Sequence, residues 1–201
     1  SMEPNLLVGD RLFVIKYTYG YSKHSFPFSP PIFKGRLFKS KPESGDVVVF
    51  KTPSDNRTDY IKRLVGLPGD IIQFVDSNLY IDNSEVLKSR ISKKDEIYCG
   101  DKKINVFTFE ELLPNGKKYK SVYLKNFPFQ NSDKFIVPQS HYFFLGDNRD
   151  CSKDSRFDDV GYVNFINLVG KAQVIFFSND TIKGSLLKFW NLKRSFRFDR
   201  S

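Results

Sequence analysis

A lysine inside an apolar stretch carries the most chemical content in this chain. Lys62 is flanked by Ile61 and the pair Leu64-Val65, in a strand-like run that ends at a Pro-Gly turn. Burial lowers the pKa of a lysine from its usual value of about 10.4, and a deprotonated lysine is a general base. A serine hydroxyl needs such a base before it becomes a useful nucleophile. We therefore consider Lys62 a candidate base for the hydroxyl of Ser1.

Histidine is the usual base for a serine nucleophile, and this chain has two. His24 lies in a proline-rich loop and His141 opens a predicted strand, so neither has the surroundings of a triad base. Two histidines and two cysteines scattered along the chain predict no metal site, and we expect no cofactor. We expect Cys99 and Cys151 to be free thiols.

Three segments together resemble the bacterial type I signal peptidases, membrane-bound serine proteases with a Ser/Lys dyad. They are 1–10 (SMEPNLLVGD), 60–70 (YIKRLVGLPGD) and 146–156 (GDNRDCSKDSR). Each alone is a weak signal, but all three occur in the family's order, joined by its strand at 45–50 (GDVVVF). The likeness runs to about residue 178 and thins between about 76 and 137. It departs from the family at Asn5, where Thr is usual, at Cys151, where Asn is frequent, and at 157–161 (FDDVG).

The resemblance implies an endopeptidase that removes signal peptides from exported preproteins after a small-x-small motif. Ser1 would be the nucleophile, Lys62 the general base, and Ser152 the hydroxyl that orients the amine. Tyr60 shares a strand face with Lys62 and should help to exclude water. Two implied ion pairs would leave Lys62 with hydroxyl partners alone: Asp147 with Arg63, and Asp154 with Arg156.

Strand alternation also predicts the specificity. An extended substrate could add its backbone to the strand that carries Lys62 or to the segment after Ser1. Met2, Leu6 and Ile61 would then floor shallow apolar pockets. Such pockets would accept alanine at the residues one and three before the cut.

The start of the chain suggests what precedes it in the family. The resemblance implies a membrane anchor of one or more helices upstream of Ser1, which we expect to be missing from this chain. It also implies two oxyanion donors, the backbone N–H of Ser1 and a hydroxyl just upstream, which we expect the chain to lack. The sequence shows neither an apolar run of about 18 residues nor a signal peptide. The implied location is the bacterial cytoplasmic (inner) membrane, with the catalytic domain on its outer side.

The net charge is +9 and the isoelectric point is about 9.4. A solvated basic surface would explain this, but the basic stretches also carry aromatics, which suits an anionic lipid surface. These stretches are a proline-rich segment at 17–38 and a tail at 186–197, which could equally be a helix packed on the sheet. No nucleic-acid-binding motif is present, so we expect preproteins and membrane lipid as partners, no nucleic acid, and a monomer.

Composition and pattern predict a mostly β protein. Phe and Tyr number 21 and 10, and both favour strands. We expect an antiparallel β catalytic core formed by 1–75 and 138–178, an inserted smaller β region at 76–137, and a basic aromatic C-terminal segment at 179–201. Readable strands are 11–18, 46–52, 59–65, 70–75, 79–81, 106–113, 119–124, 141–145 and 168–177. Hairpin turns are predicted at 76–78, 82–84 and 114–116.

Three other functions stay open at this point. An N-terminal serine hydrolase could use the α-amine of Ser1 as its base, but it would have no reason to carry the other segments. A self-cleaving repressor-type protease would also use Ser/Lys chemistry, although no DNA-binding half is visible. A non-enzymatic β module that binds membrane surfaces would make Lys62 a structural lysine.

Overall fold

The computed structural model describes residues 1–7, 10–16, 18–19, 41–124 and 131–178. In this part of the chain it contains strands β1 to β13 and one turn of 3₁₀ helix at Phe165–Asn167. The strands are β1 Asp10–Ile15, β2 Val47–Lys51, β3 Asp59–Gly66, β4 Ile71–Val75, β5 Asn78–Ile81, β6 Ser84–Glu85, β7 Leu87–Cys99, β8 Lys102–Leu112, β9 Lys118–Leu124, β10 Phe135–Ile136, β11 His141–Leu145, β12 Val163–Asn164 and β13 Leu168–Ser178. The prediction of a mostly antiparallel β fold is confirmed.

A six-stranded sheet carries Lys62 on one of its inner strands. Its order is β1-β13-β2-β3-β11-β12, so β3 lies between β2 and β11. Alternate residues of β3 enter two apolar clusters on opposite faces, Leu64 in one and Val65 in the other. Residues two apart share a face, so Lys62 lies on the Leu64 face together with Tyr60. A lysine at this position is covered because both faces of its strand are packed.

A four-stranded sheet of order β10-β4-β5-β6 packs beside the first. Its two hairpins turn through pairs of residues with positive φ, at 76–77 and 82–83, which agrees with the predicted turns. The proposed boundary between 75 and 76 falls inside this sheet, since β4 pairs with β5 and with β10. The division into core and insertion stays a prediction.

The third sheet has the order β7-β8-β9, and its strand β9 contacts the 146–156 segment. A parallel bridge joins Val122 of β9 to Asn148, and Val122 exchanges main-chain hydrogen bonds with both neighbours of that residue. The long strand β7 was not predicted, because its sequence is rich in charge and shows no apolar alternation. Pairing with β8 along its whole length makes it a strand.

Two predicted features lie outside the described residues. These are most of the aromatic segment at 17–38 and the whole tail at 179–201. Within the residues that are described, no helix has the length and apolar character needed to cross a membrane.

Candidate active site

Lys62 is buried, with 4% of its surface exposed. Burial lowers the pKa of its amine to about 8. The charge of Asp154 acts in the opposite direction and that of Arg156 in the same direction. With this pKa the amine is deprotonated in about one molecule in ten at pH 7 and in about half at pH 8, far more than for an ordinary lysine, which favours a role as general base.

Two carboxylates have charges that act on the Lys62 amine, and each is paired with an arginine. Arg63 donates to both oxygens of Asp147, at 2.7 and 2.8 Å. Arg156 donates to both oxygens of Asp154, at 2.8 and 2.9 Å. No salt bridge between Lys62 and a carboxylate is present in the part of the chain that the structure describes. These bidentate pairs keep the carboxylates from fixing the amine as an ammonium.

Ser1 lies beside the same strands. Its carbonyl oxygen accepts a 2.9 Å hydrogen bond from the N–H of Asn148. Burial lowers the pKa of the Ser1 α-amino group, and the charge of Lys62 is the second cause. The two residues are therefore electrostatic neighbours, although 61 positions separate them in the sequence.

Gly146 is the point where the three segments meet. It follows Leu145, which pairs with Arg63, the residue after Lys62. A Cβ on Gly146 would lie 2.1 Å from the Oγ of Ser152 and 2.7 Å from the carbonyl oxygen of Ser1. The absence of a side chain at this residue lets the two serines approach the strand that carries Lys62.

The side chain of Ser152 is buried and lacks a hydrogen-bond partner among the described residues. The expected hydrogen bond from Ser152 to Lys62 is thus not formed in this structure. A buried hydroxyl without a partner is costly, at about 1–3 kcal/mol. Its orienting role stays a prediction, and its unfilled hydrogen-bonding capacity is available to a group that enters the site.

The structure also describes the other residues that the sequence analysis considered. The amine of Lys62 lies 5.5 Å from the ring centre of Tyr60. Met2 is buried, whereas Leu6 and Ile61 are half-buried. The three apolar residues therefore stay a predicted substrate pocket. His141 bonds to Gln139 and Asn164 at the start of β11, which is a structural arrangement.

Asn5 has a positioning role that the sequence did not reveal. Its side-chain amide donates to Asp147 at 2.6 Å and to the carbonyl oxygen of Lys120 in β9 at 2.7 Å. It thus joins the Ser1 segment to the Arg63–Asp147 pair and to the third sheet. The departure from Thr at this position was the available signal.

A second group that sequence reasoning missed is the fully buried pair of Arg149 and Glu111. Arg149 donates to Glu111 at 2.7 Å. Burial alone would raise the pKa of Glu111, but the Arg149 charge and three hydroxyl donors hold that pKa below its usual value. The donors are Tyr119, Ser121 and Tyr123. The pair fastens the 146–156 segment to the third sheet.

The expectation of two free cysteines is wrong. Cys99, the last residue of β7, forms a disulfide with Cys151, and their Cα atoms are 5.7 Å apart. The bridge spans 52 positions and could not be seen while the path of β7 was unknown. The available signal was the pair of cysteines in a domain expected outside the cytoplasm, where disulfides persist.

Two further features lie apart from these residues. A cavity of about 490 Å³, lined by Leu67, Tyr142 and Phe165 among others, contains none of the predicted site residues. In the described ranges no group of three or more His, Cys, Asp or Glu side chains is arranged to hold a metal ion.

Comparison with known proteins identifies the family. The family model described as "Signal peptidase, peptidase S26" matches residues 1–177. Signal peptidase I of Rickettsia typhi is 45% identical over 187 residues, covering 89% of this chain and 69% of that protein. The enzyme of Rickettsia conorii is 44% identical, covering 89% and 68%.

A solved signal peptidase I from Enterococcus faecalis V583 is 25% identical and covers 67% of this chain and 98% of that one, with a TM-score of 0.43. That score is too low to support a statement about the fold. The family model and the Rickettsia enzymes confirm the resemblance seen in the sequence, and the chain belongs to the signal peptidase family, peptidase S26, a family of serine proteases.

Proposed function

We propose that this chain removes signal peptides from exported preproteins, with Ser1 as nucleophile and Lys62 as general base. Membership of the signal peptidase family supports the reaction. The observation that carries the assignment of residues is the buried Lys62 amine with a pKa of about 8, beside carboxylates already paired with arginine. A lysine with a lowered pKa, beside carboxylates that are already paired, has the surroundings that a general base needs.

The chemistry follows from the neutral amine. Lys62 takes the proton of the Ser1 hydroxyl as its oxygen attacks the carbonyl carbon of the peptide bond. The resulting ammonium returns that proton to the leaving amine, and an acyl ester remains on Ser1. The amine then deprotonates a water molecule, which hydrolyses the ester and releases the serine. Each step leaves Lys62 ready for the next.

Ser152 is the third member of this arrangement. Its buried hydroxyl is unpartnered in the described part of the chain and lies against Gly146, which directly follows the Leu145–Arg63 pair. In the proposed mechanism this hydroxyl holds the amine in line with the Ser1 hydroxyl, as the third residue of a triad does. The ring of Tyr60 covers the amine and keeps water from it.

Substrate recognition is proposed at the same strands. The preprotein would lie extended beside β3 and the Ser1 segment, with small side chains pointing at Met2, Leu6 and Ile61. Because substrate side chains alternate, the residues one and three before the cut face these pockets. This gives the small-x-small pattern.

A membrane location fits this function. Bacterial signal peptidases I are generally anchored in the membrane, and we propose that the catalytic domain acts on its outer side, against anionic lipid. The charge of +9 supports an attraction to such a surface. Binding to anionic vesicles that weakens as salt is added would support this, and equal binding to neutral vesicles would contradict it.

The test of the dyad is peptide cleavage by the intact enzyme and by Lys62→Met. Methionine keeps the volume and removes the base, so cleavage should fall to background while the fold persists. The substrate has alanine one and three residues before the cut, and a matched peptide with leucine at both positions should resist cleavage.

Lys118→Met is the control, because Lys118 is exposed and pairs with Glu110 on the third sheet. Its activity and that of His141→Ala should stay close to that of the unchanged enzyme. Substantial cleavage by Lys62→Met, or loss of cleavage in His141→Ala, would show that the base is wrongly assigned.

A further inference from the structure

We propose that Cys99 and Cys151 are positioning residues of the active site, whose disulfide holds Ser152 in place for catalysis. The inference rests on the proposed function, since Ser152 acts on the amine of Lys62. It predicts an enzyme that is fully active only when the disulfide is formed.

The segment that leads to Ser152 is tied to the third sheet at each step. The N–H of Val122 donates to the carbonyl oxygen of Asp147, and the N–H of Arg149 donates to that of Val122, at 2.9 and 3.0 Å. The N–H of Leu124 donates to the carboxylate of Asp150 at 2.6 Å. The disulfide at Cys151 is the last of these ties before Ser152.

The disulfide attaches to a different strand from the other ties. The hydrogen bonds reach β9, whereas Cys99 ends β7, on the far side of β8 in the same sheet. Cys99 pairs with Lys102 across the turn between β7 and β8. The bridge therefore fastens the end of this hairpin to the active-site segment and fixes the segment from a second direction.

Ser152 depends on its neighbours for its position. Its hydroxyl has no hydrogen-bond partner in the described part of the chain. Two positions further along, Asp154 is held by Arg156 and by the N–H of Gly146 at 2.9 Å. The disulfide is the corresponding restraint on the other side. Between the disulfide and the Asp154 contacts, the Ser152 side chain packs closely on Gly146.

Loss of the bridge should loosen Ser152 and admit water to Lys62. Four groups interact electrostatically with the Lys62 amine: Asp154, Arg156, Asp147 and the α-amine of Ser1. The ring of Tyr60 lies over the amine. The three side-chain charges are held in ion pairs, Asp154 with Arg156 and Asp147 with Arg63. Burial is the main cause of the low Lys62 pKa, so hydration should raise it toward 10.5.

The experiment compares the intact enzyme before and after treatment with a water-soluble phosphine. The phosphine supplies two electrons and becomes its oxide with an oxygen atom from water, and the two sulfurs leave as thiols. We expect kcat to fall by about 10- to 100-fold, because a displaced catalytic group loses that much. KM should change by less than about twofold, since the substrate strands are untouched. The pH at which kcat is half-maximal should rise by about one unit or more as the amine is hydrated.

A covalent bridge that cannot be reduced distinguishes the effect of holding Ser152 in position from the effect of the oxidation state of the two cysteines. Diiodomethane joins the two reduced thiols through one carbon, with loss of two molecules of hydrogen iodide. The bridged enzyme should regain most of its kcat and keep it in phosphine. The variant Cys99→Ser should behave like the reduced enzyme, and phosphine should not change it. Diiodomethane should not restore its kcat, since it can alkylate the single thiol of Cys151 but has no second thiol to bridge.

Circular dichroism at the assay temperature measures the folded fraction of each sample. An equal kcat and an unchanged pH profile after complete reduction would overturn the proposal. A fall in kcat that matches the loss of folded protein, with no shift in the pH profile, would also overturn it, since the bridge would then serve stability alone. Failure of the oxidised enzyme to cleave the alanine peptide would instead contradict the proposed function.

Discussion

The main-chain N–H of Asn148 donates a 2.9 Å hydrogen bond to the carbonyl oxygen of Ser1. Asn148 is also bridged to Val122, so the residue proposed as nucleophile is linked to β9 through a single intermediate. Asn5 adds a second link from the Ser1 segment to the same strand. The third sheet thus helps to set the geometry of the site.

Catalytic activity should rise with pH until the Lys62 amine is deprotonated. The pKa is lowered to about 8 by burial, so below that value kcat should fall about tenfold per pH unit. Above it kcat should level off. Single-turnover cleavage of the alanine peptide between pH 6 and 9.5 measures this limb without interference from product release. A flat profile over that range would exclude Lys62 as the base.

Gly146→Ala should abolish most of the activity. The added methyl would meet the Ser152 Oγ at 2.1 Å and the carbonyl oxygen of Ser1 at 2.7 Å, so one of the serines must move. A displacement of about 1 Å at a reacting group costs about 100-fold in rate. The measurement is kcat at pH 9, where the base is deprotonated.

Gly116→Ala is the matched control, since no atom lies within 4 Å of a Cβ at that position. Gly116 has a positive φ of 83°, so the control should lower stability slightly through backbone strain and leave kcat unchanged. Equal kcat values in the two variants would contradict the close approach at Gly146.

Removing one member of the Arg149–Glu111 pair should be strongly destabilising. Both side chains are fully buried, so Glu111→Ala leaves an arginine charge without its partner. A broken buried pair typically costs about 3–5 kcal/mol. Urea unfolding of the oxidised enzyme measures the loss.

The double variant Glu111→Leu with Arg149→Met replaces both members of the pair, so no unpaired charge is left in the interior. The double variant should recover part of the stability, although Tyr119 and Tyr123 then lose a hydrogen-bond partner. A double variant less stable than Glu111→Ala alone would show that the hydroxyl network, and not the charge, dominates.

The core strands were predictable because their apolar alternation and turn residues are local. The strand β11 was predicted to the residue, and the turns at 76–77 and 82–83 use the residue types that tolerate positive φ. The strand β7 was not, because its sequence is charged and its structure comes from pairing with β8. The same missing strand hid the disulfide, since the path of β7 decides where Cys99 lies.

The residues of the candidate site also fall into those that the sequence indicated and those that it did not. Lys62 was identifiable from its own flanks, and the arginine–carboxylate pairs were implied by the resemblance. The Asn5–Asp147 and Arg149–Glu111 contacts were not, because they join residues 142 and 38 positions apart. Such contacts follow from the arrangement of the sheets and leave no local pattern in the sequence.

Lys62→Met should make the folded protein more stable while it removes activity. The folded-state pKa of about 8 lies below the usual value of 10.5, so the unfolded chain binds the proton more tightly. Between pH 8 and 10.5 the unfolded state holds a proton that the folded state has released, and stability therefore rises with pH. Below pH 8 the buried ammonium costs the folded state about 3 kcal/mol, by the conversion of about 1.4 kcal/mol per pKa unit.

Methionine carries no charge, so Lys62→Met should gain up to about 3 kcal/mol at pH 7 and progressively less above pH 8. The measurement is the urea midpoint of both proteins at pH 7 and pH 10. The control is Lys118→Met, whose exposed amine should give a small difference that does not vary with pH. A Lys62→Met protein that is less stable than the parent at pH 7 would mean that the amine has a partner when protonated. Such a partner would hold the pKa of Lys62 near or above its usual value and remove the basis for its role as the base.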